Sequence, residues 1–308
     1  MSATIEAPAP APNMPTGLSA RARGERRLGW ALAGPAFAVM LLVTAYPIGQ
    51  AIWNGFFSYR LTDPGAREFV GLANYATILL DSLFWLAVGN TALITVVTVV
   101  VELFLGGGIA MLMQRVVWPR HTLRTIVLIP YSIITVVSAF AWFYGFHVST
   151  GFVNHWFGLG EFDWFGQWWS SMTVISLSEI WKTTPFMSLL LLSGLANIDG
   201  SLEEAAIVDG ATFWQRLTRV IVPNMKAAVM VAVLFRTLDA FRIFDNVFVM
   251  TQGGQHTTTF SVLAYDQTIN RVQIGLGSAV SVLLFLSVLA IAAIFVRAFK
   301  VDLTSGRS

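Results

Sequence analysis

The sequence of 308 residues contains 19 Lys or Arg and 17 Asp or Glu, so 12% of it is charged, whereas soluble globular proteins carry about 25%. Hydrophobic residues make up 56% of the chain and its mean hydropathy is +0.68, which argues against a disordered chain or a soluble enzyme and indicates an integral membrane protein. The net charge of +2 is too small for a nucleic-acid-binding protein, and the absence of cysteine excludes disulfides, thiol catalysis and cysteine-ligated zinc.

Six apolar runs follow an N-terminal tail that is rich in Pro and Ala and is predicted to be disordered to residue 27. Basic residues precede the first run, as in a secretory signal, but this run is long enough to cross a membrane and predicts an uncleaved helix. Internal prolines predict kinks in the third and fourth runs. The sequence therefore predicts an all-α polytopic domain over residues 28–300 and a short tail at 301–308. The six predicted transmembrane helices are 28–52, 84–113, 125–146, 172–195, 227–250 and 274–296.

The distribution of Lys and Arg predicts the orientation of these helices, because basic residues concentrate on the cytoplasmic side. With both tails in the cytoplasm, most basic residues outside the spans are cytoplasmic and few are external. The inverse orientation would place the larger set outside. The sequence therefore predicts an N-in, C-in topology. The predicted cytoplasmic set is Arg21, Arg23, Arg26, Arg27, Arg115, Arg120, Arg124, Arg216, Arg219, Lys226, Arg297, Lys300 and Arg307, and the external set is Arg60, Arg67 and Arg271.

The predicted external loop 147–171 is crowded with aromatic residues. Such residues form belts at membrane interfaces, and they also suit a docking surface for an external partner, so both interpretations remain open. The aromatic residues are Phe152, Trp156, Phe157, Phe162, Trp164, Phe165, Trp168 and Trp169.

The cytoplasmic loop after the fourth run carries signals for two short helices. Ser201 and Glu204 have the spacing of a capping box, which predicts a helix that begins at Ser201 and ends at Gly210. Thr212 is a suitable cap for a second helix, which Pro223 is predicted to end. These signals alone also fit an ordinary amphipathic connector.

The same loop contains a longer motif. Glu204-Ala205-Ala206, Asp209-Gly210-Ala211, Ile221 and Pro223 resemble the E-A-A-x-x-D-G-A…I-x-L-P loop of binding-protein-dependent ABC importer permeases. The resemblance implies that loop 197–226 is the coupling loop, which sits in a cleft of an ATPase subunit. The residues assigned to this role are Glu203, Glu204, Ala205, Ala206, Asp209, Gly210 and Ala211.

Two further stretches resemble sugar permeases of the maltose type: the residues from Phe244-Asp245-Asn246 to Gly253-Gly254, and the G-x-G-S-A-x-S sequence that begins at Gly275. The runs EIWKTTPFMSLLLLSGL and LFRTLDAFRIFDN resemble the first permease subunit of mycobacterial-type trehalose importers. The resemblance implies the type I permease architecture in a bacterial inner membrane and trehalose uptake, with maltose or another oligosaccharide as the alternative.

The implied partners are a second permease, two ATPase subunits, an external sugar-binding lipoprotein, a disaccharide and the lipid bilayer. No cofactor is expected on this chain, because it contains no G-x-x-x-x-G-K-[ST] phosphate loop and ATP and Mg²⁺ would be held by the ATPases. The chain is therefore expected to be a transport subunit and not an enzyme. The four histidines are scattered and predict no metal site.

Charged residues inside the predicted spans are the other unusual feature, since each costs about 2.5–3.5 kcal/mol at the bilayer centre. The fifth span holds Arg236, Asp239, Arg242 and Asp245 at intervals of three residues. In a continuous helix Arg236 and Asp239 share a face and can pair, whereas Asp245 lies roughly opposite Arg236. Glu102 stands alone in the second span and is predicted to be either a hydrogen-bonded packing residue or a residue near a membrane interface.

The fourth span adds Glu179 and Lys182, just before Pro185. These charges fit either structural ion pairing within the bundle or the lining of a path for a polar, uncharged ligand. The resemblance implies the second role and a sugar site, in which Phe186 is expected to stack on a sugar ring. The implied lining residues are Glu179, Lys182, Thr183, Phe186, Arg236, Asp239, Ala240 and Ile243.

Two other classes of function are alternatives to an ABC permease. A secondary transporter would bind its coupling ion at midplane charges and would show internal repeats, and the sequence has the charges but no clear repeat. A membrane scaffold or sensor would have little use for charged spans.

Overall fold

The computed structural model describes residues 20–116 and 120–298. The first helix, α1, spans Ala20–Gly55 and so begins within the predicted tail. The described residues divide after Gln50 into two compact units. In the first unit, α1 is apolar and most of its large side chains are exposed, as expected for a helix that meets lipid or a partner chain.

In the second unit, the end of α1 is followed by a hairpin that the sequence patterns did not predict. Strands β1 (Phe57–Arg60) and β2 (Asp63–Phe69) pair antiparallel, with Phe57 opposite Phe69. The Arg67 guanidinium lies 4.4 Å from the centre of the Phe57 ring, a cation–π contact across the hairpin.

The rest of the second unit is helical. Two π-helical turns interrupt it, at Leu217–Ile221 and Asp266–Asn270. The helices are α2 (Ala73–Leu80), α3 (Ser82–Arg115), α4 (Arg120–Ser132), α5 (Thr135–Phe146), α6 (Phe152–Phe157), α7 (Trp168–Ala196), α8 (Gly200–Val208), α9 (Phe213–Arg216), α10 (Val222–Asn224), α11 (Lys226–Ala240), α12 (Asp245–Met250), α13 (Phe260–Tyr265) and α14 (Ile274–Ala298).

Two of the six predicted spans are broken rather than continuous. The third span bends by 83° between α4 and α5, shortly after Pro130, whose ring removes one helical N–H and clashes with the preceding turn. The fifth span ends at Ala240 and resumes at Asp245. By length and composition, the described residues contain three helices that could cross a membrane, or up to five if each bent pair counts as one. The number six and the N-in, C-in orientation therefore stay predictions.

Helices α3, α7 and α11 form the centre of the second unit, and glycines allow them to approach closely. A Cβ at Gly106 of α3 would overlap Met187 of α7, and a Cβ at Gly194 of α7 would overlap Ala228 of α11. An apolar cluster that includes Met113, Leu191 and Ala232 fills one end of this three-helix contact. The close packing leaves little room for charged side chains, so those present must be paired.

Residues 251–257, at the end of the stretch that resembles maltose-type sugar permeases, form a tight turn that is hydrogen-bonded to α3. The Asn90 side chain donates to the carbonyls of His256 (2.6 Å) and Thr258 (2.9 Å). Gly253 has φ of +79°, a conformation that disfavours any residue with a Cβ. The backbone conformation of the turn therefore explains why glycine occupies position 253, whether or not a ligand binds there.

Candidate functional site

A polar cavity of about 540 Å³ lies between the two helix breaks. The α4–α5 break forms one wall, the middle of α7 forms another, and the α11–α12 break closes the site. Breaks of this kind expose backbone carbonyls and amides, which membrane proteins tolerate where they line a cavity. The polar side chains in the lining are Tyr131, Thr135, Glu179, Lys182, Thr183, Asp239, Arg242, Asp245 and Asn246.

A buried charge cluster, made of Glu102, Glu179, Arg236 and Asp239, lies beside this cavity. Arg236 is fully buried and binds Glu102 with two nitrogens, Nε to Oε2 at 2.5 Å and Nη2 to Oε1 at 3.1 Å. It also donates from Nη2 to Glu179 (2.7 Å) and from Nη1 to Asp239 (2.8 Å). Four of its five N–H groups are thus used on carboxylates of α3, α7 and α11.

The cluster confirms the predicted pairing of Arg236 with Asp239 and the predicted hydrogen-bonded state of Glu102, and it shows that Glu102 binds Arg236. Arg236 and Asp239 pair within α11, as their spacing predicts. Glu102 is a hydrogen-bonded packing residue, but its partner Arg236 lies 134 positions away in the sequence, so local spacing could not indicate it. Removing one member of a buried ion pair commonly costs about 3–5 kcal/mol, because the remaining charge is left unpaired.

Lys182 makes no ion pair with Glu179, although the two are three residues apart on α7. Its ammonium group donates to the carbonyls of Ile133 (2.5 Å) and Tyr131 (3.5 Å), at the end of α4. The last carbonyls of a helix have no intrahelical partner and favour a cation. Lys182 therefore stabilises the α4–α5 break that forms one wall of the polar cavity.

The second break changes where Asp245 lies. A continuous helix would place it opposite Arg236, and this prediction was wrong because the helix ends at Ala240 and both Asp239 and Asp245 line the polar cavity. The next residue, Asn246, donates to Glu179 at 2.6 Å, while its buried Oδ1 has no hydrogen-bond partner in the described chain. The break thus adds three polar side chains to the cavity, those of Arg242, Asp245 and Asn246.

Five of the eight predicted lining residues lie on the wall of the polar cavity, namely Glu179, Lys182, Thr183, Asp239 and Ile243. The other three lie elsewhere. Arg236 is buried behind the wall, and Ala240 packs in the apolar cluster of α3, α7 and α11. Phe186 stacks on Tyr131 with ring centres 5.4 Å apart, so it supports a lining residue.

Eight residues that line the polar cavity were not among the predicted lining residues, namely Tyr131, Ile133, Ile134, Thr135, Arg242, Phe244, Asp245 and Asn246. Asp245 and Asn246 belong to the Phe244-Asp245-Asn246 stretch that carried the resemblance, and this was the available signal. Tyr131 reaches the cavity only because of the α4–α5 bend, which no local pattern locates.

The segment α8–α9 of loop 197–226 forms two short helices, as predicted, with corrected ends. The first begins at Gly200 and its cap is Asp199, not Ser201, because the Asp199 carboxylate accepts the N–H of Ser201 at 3.0 Å. This hydrogen bond also lowers the pKa of Asp199. Gly210, with φ of +77°, ends the helix as expected.

The second helix is capped as predicted, since Thr212 and Gln215 form a reciprocal capping box. Pro223 does not end the segment. It lies within α10, after the π-helical turn Leu217–Ile221, and that wider turn makes room for the proline ring.

The α8–α9 segment presents most of the residues assigned to coupling. Glu204, Ala205, Asp209 and Gly210 are exposed. The remaining three, Glu203, Ala206 and Ala211, are half-buried, and Glu203 forms an ion pair with Arg216 at 3.5 Å that joins α8 to α9. Five large apolar side chains of this segment are also exposed, namely Leu202, Ile207, Val208, Phe213 and Trp214. Exposed apolar residues beside small ones suit a surface that another protein covers.

The aromatic loop 147–171 serves partly as packing. Trp164 donates to Asn154 at 2.8 Å, and Trp168 donates to Asn90 at 3.1 Å. Trp156 and Phe157 on α6 remain exposed. The exposed part fits both a membrane belt and a docking surface.

Comparison with known proteins gives a consistent result. Residues 102–302 match the family model of the binding-protein-dependent transport system inner membrane component. The chain is 46% identical to the trehalose transport system permease protein SugA of Mycobacterium tuberculosis, over 89% of each chain. It is 36% identical to the sulfoquinovosyl glycerol transport system permease protein SmoG of Agrobacterium fabrum, over 90% of this chain and 92% of that protein.

A solved structure shares the fold. A chain of a bacterial alginate ABC transporter, crystallised with an alginate pentasaccharide-bound periplasmic protein, matches with a TM-score of 0.76 and 22% identity, over 89% of this chain and 94% of that one. At this level of identity the match supports the architecture alone.

Proposed function

The chain belongs to the inner membrane components of binding-protein-dependent transport systems, and we propose that it is one permease subunit of an ATP-driven importer of neutral disaccharides. Membership confirms the resemblance carried by loop 197–226 and the stretch from Phe244 to Gly254. It also makes the chain a multi-pass protein of the inner membrane. Family membership argues against the secondary transporter and the scaffold.

The observation that carries the proposal is the mixture of charges around the polar cavity. Its lining holds three carboxylates, Glu179, Asp239 and Asp245, and two cations, Lys182 and Arg242, which gives a net charge of −1. Carboxylates accept hydrogen bonds from sugar hydroxyls, and cations and amides donate to them. A single-sign lining would favour an ion instead.

Trehalose is the leading substrate because the mycobacterial relative, named for trehalose transport, is 46% identical to the chain. The relative named for sulfoquinovosyl glycerol, an anionic sugar, is 36% identical. The lining disfavours an anion, because it has only two cations and the ammonium group of one, Lys182, already donates hydrogen bonds to two carbonyls. Arg242 is the other cation of the lining. Maltose or another neutral oligosaccharide is the second candidate.

Transport would require several partners. The proposed complex contains a second permease that shares the path, two ATPase subunits that hold ATP and Mg²⁺, and an external sugar-binding lipoprotein. The exposed α8–α9 segment would lie against an ATPase subunit, so that closure of the ATPases moves the bundle between inward-open and outward-open states. This chain itself would catalyse no reaction.

The test is uptake of labelled trehalose by proteoliposomes that contain the assembled complex and the binding protein. Uptake should require ATP inside the vesicles and should persist when ion gradients are collapsed. Maltose, sulfoquinovosyl glycerol and unlabelled trehalose are then compared as competitors. Uptake driven by an ion gradient without ATP would refute the proposal, and stronger competition by maltose would favour the second candidate.

A further inference from the structure

Arg236 lies at the centre of the charge cluster but away from the cavity that the cluster borders. We propose that Arg236 and Glu102 are positioning residues for sugar transport, which hold the carboxylates of Asp239 and Glu179 at the cavity wall without touching the sugar. This inference rests on the proposed function. It replaces the expectation that Arg236 is itself a sugar ligand.

Burial and hydrogen bonding exclude Arg236 from direct contact in this conformation. Its side chain is 0% exposed and is absent from the lining of the polar cavity. Four N–H groups already donate to carboxylates, with Nη1 to Asp239 and Nη2 to Glu179 among them. The guanidinium fork fixes the directions of these bonds, so its position sets the positions of both carboxylates.

Asp239 is the member of the cluster that reaches the cavity. Its side chain is 58% exposed, while its Oδ2 accepts from Arg236 at 2.8 Å. One oxygen is therefore fixed by the buried arginine, and the exposed part of the carboxylate faces the space where a sugar hydroxyl would donate. Without the arginine, the same carboxylate would be free to rotate.

Glu102 anchors the arginine from behind. It is fully buried on α3, and both of its oxygens accept from Arg236. Helix α3 contributes no residue to the lining of the polar cavity. Glu102 is therefore linked to the lining through Arg236 and through Thr183, whose hydroxyl lies 2.8 Å from Oε1 of Glu102.

A purely structural ion pair makes a different prediction. Such a pair affects how much complex assembles, but it leaves unchanged the sugar affinity of each assembled complex. A positioning pair changes that affinity, because misplaced carboxylates lose hydrogen bonds to the sugar. The half-saturation concentration for uptake, measured per assembled complex, separates the two roles.

The experiment measures trehalose uptake by the full reconstituted complex with Arg236→Gln, and with Glu102→Gln as the milder variant that keeps the side-chain shape. Each variant is expected to raise the half-saturation concentration about ten-fold, the effect of losing one well-placed hydrogen bond to a charged group. Arg271→Gln is the matched control, because Arg271 forms an exposed ion pair with Asp266 and does not line the cavity.

An unchanged half-saturation concentration in Glu102→Gln, with only fewer assembled complexes, overturns the inference and leaves the proposed function intact. A half-saturation concentration that is raised in Glu102→Gln and unchanged in Arg271→Gln supports the inference, even if the Arg236→Gln complex does not assemble. A wild-type complex that takes up no trehalose refutes the proposed function and the inference together.

Discussion

Lys182 of α7 donates its ammonium hydrogen to the carbonyl of Ile133, which lies in the break between α4 and α5. A cation from one helix thus compensates the unpaired carbonyl end of another, inside the part of the protein where lipid offers no hydrogen bonds. The 83° bend of the third predicted span therefore has a specific polar partner.

Replacing this cation should destabilise the bend. Lys182→Met leaves two carbonyls without their donor, and an unsatisfied buried polar group costs about 1–3 kcal/mol. We expect a lower midpoint of thermal unfolding for the purified complex. Lys226→Met is the matched control, because Lys226 is exposed at the start of α11. Equal midpoints for the two variants would show that the carbonyl contacts do not stabilise the fold.

Asp239 is expected to be the main carboxylate that a sugar meets. Asp239→Asn keeps the side-chain shape and removes the charge, and hydrogen bonds to charged groups contribute about 1.5–3 kcal/mol. The half-saturation concentration for trehalose uptake should therefore rise about ten-fold or more. Asp266→Asn, which alters a half-buried carboxylate that is paired with Arg271 and does not line the cavity, should leave it unchanged. An unchanged half-saturation concentration in Asp239→Asn would show that Asp239 has only a structural role.

Gly210 should be required for the shape of the α8–α9 segment. Its φ of +77° is unfavourable for any other common residue, at a cost of about 1–2 kcal/mol, and the strain would shift the turn after α8. We expect Gly210→Val to reach the membrane but to transport poorly, measured as uptake per assembled complex. Gly200→Ala is the control, since Gly200 has no positive φ and has free space around it. Normal uptake by Gly210→Val would contradict a coupling role for this turn.

Glu204 tests the same surface without backbone strain. It is exposed on α8, so Glu204→Lys should fold normally and yet lose ATP-driven uptake, because it reverses a charge on the surface proposed to contact an ATPase subunit. Glu68→Lys, on the exposed hairpin strand β2, is the matched charge reversal. The measurement is the amount of ATPase subunit that co-purifies with the chain, together with uptake. Full co-purification and full uptake by Glu204→Lys would place the ATPase contact elsewhere.

Much of the architecture could be predicted because hydrophobic length and local spacing determine it. The long apolar helices, the Arg236–Asp239 pair and the Thr212 cap all follow from patterns within a few residues. The helix breaks could not be placed, because Lys182 and the carbonyl of Ile133 meet only after folding.

Local spacing likewise predicted only part of the candidate site. The spacing along α11 correctly predicted the pair of Arg236 and Asp239. It could not predict that Glu102, which lies on α3, also pairs with Arg236. Asp245 was predicted on the wrong face because its position depends on where the helix stops, and that stop lies in residues 241–244, which contain no proline or glycine to mark it. Local sequence patterns therefore do not predict the long-range contacts or the helix interruptions that build the site.

We propose that the sugar passes through the polar cavity between the two helix breaks. The chain contains no cysteine, so Thr135→Cys adds a single thiol to the cavity wall, and Ser149→Cys adds one on an exposed turn away from it. The decisive measurement is the rate at which a thiol-reactive reagent modifies each variant in a transport-competent complex. Trehalose should slow modification of Thr135→Cys and not of Ser149→Cys. Equal rates at Thr135→Cys with and without saturating trehalose would contradict the account.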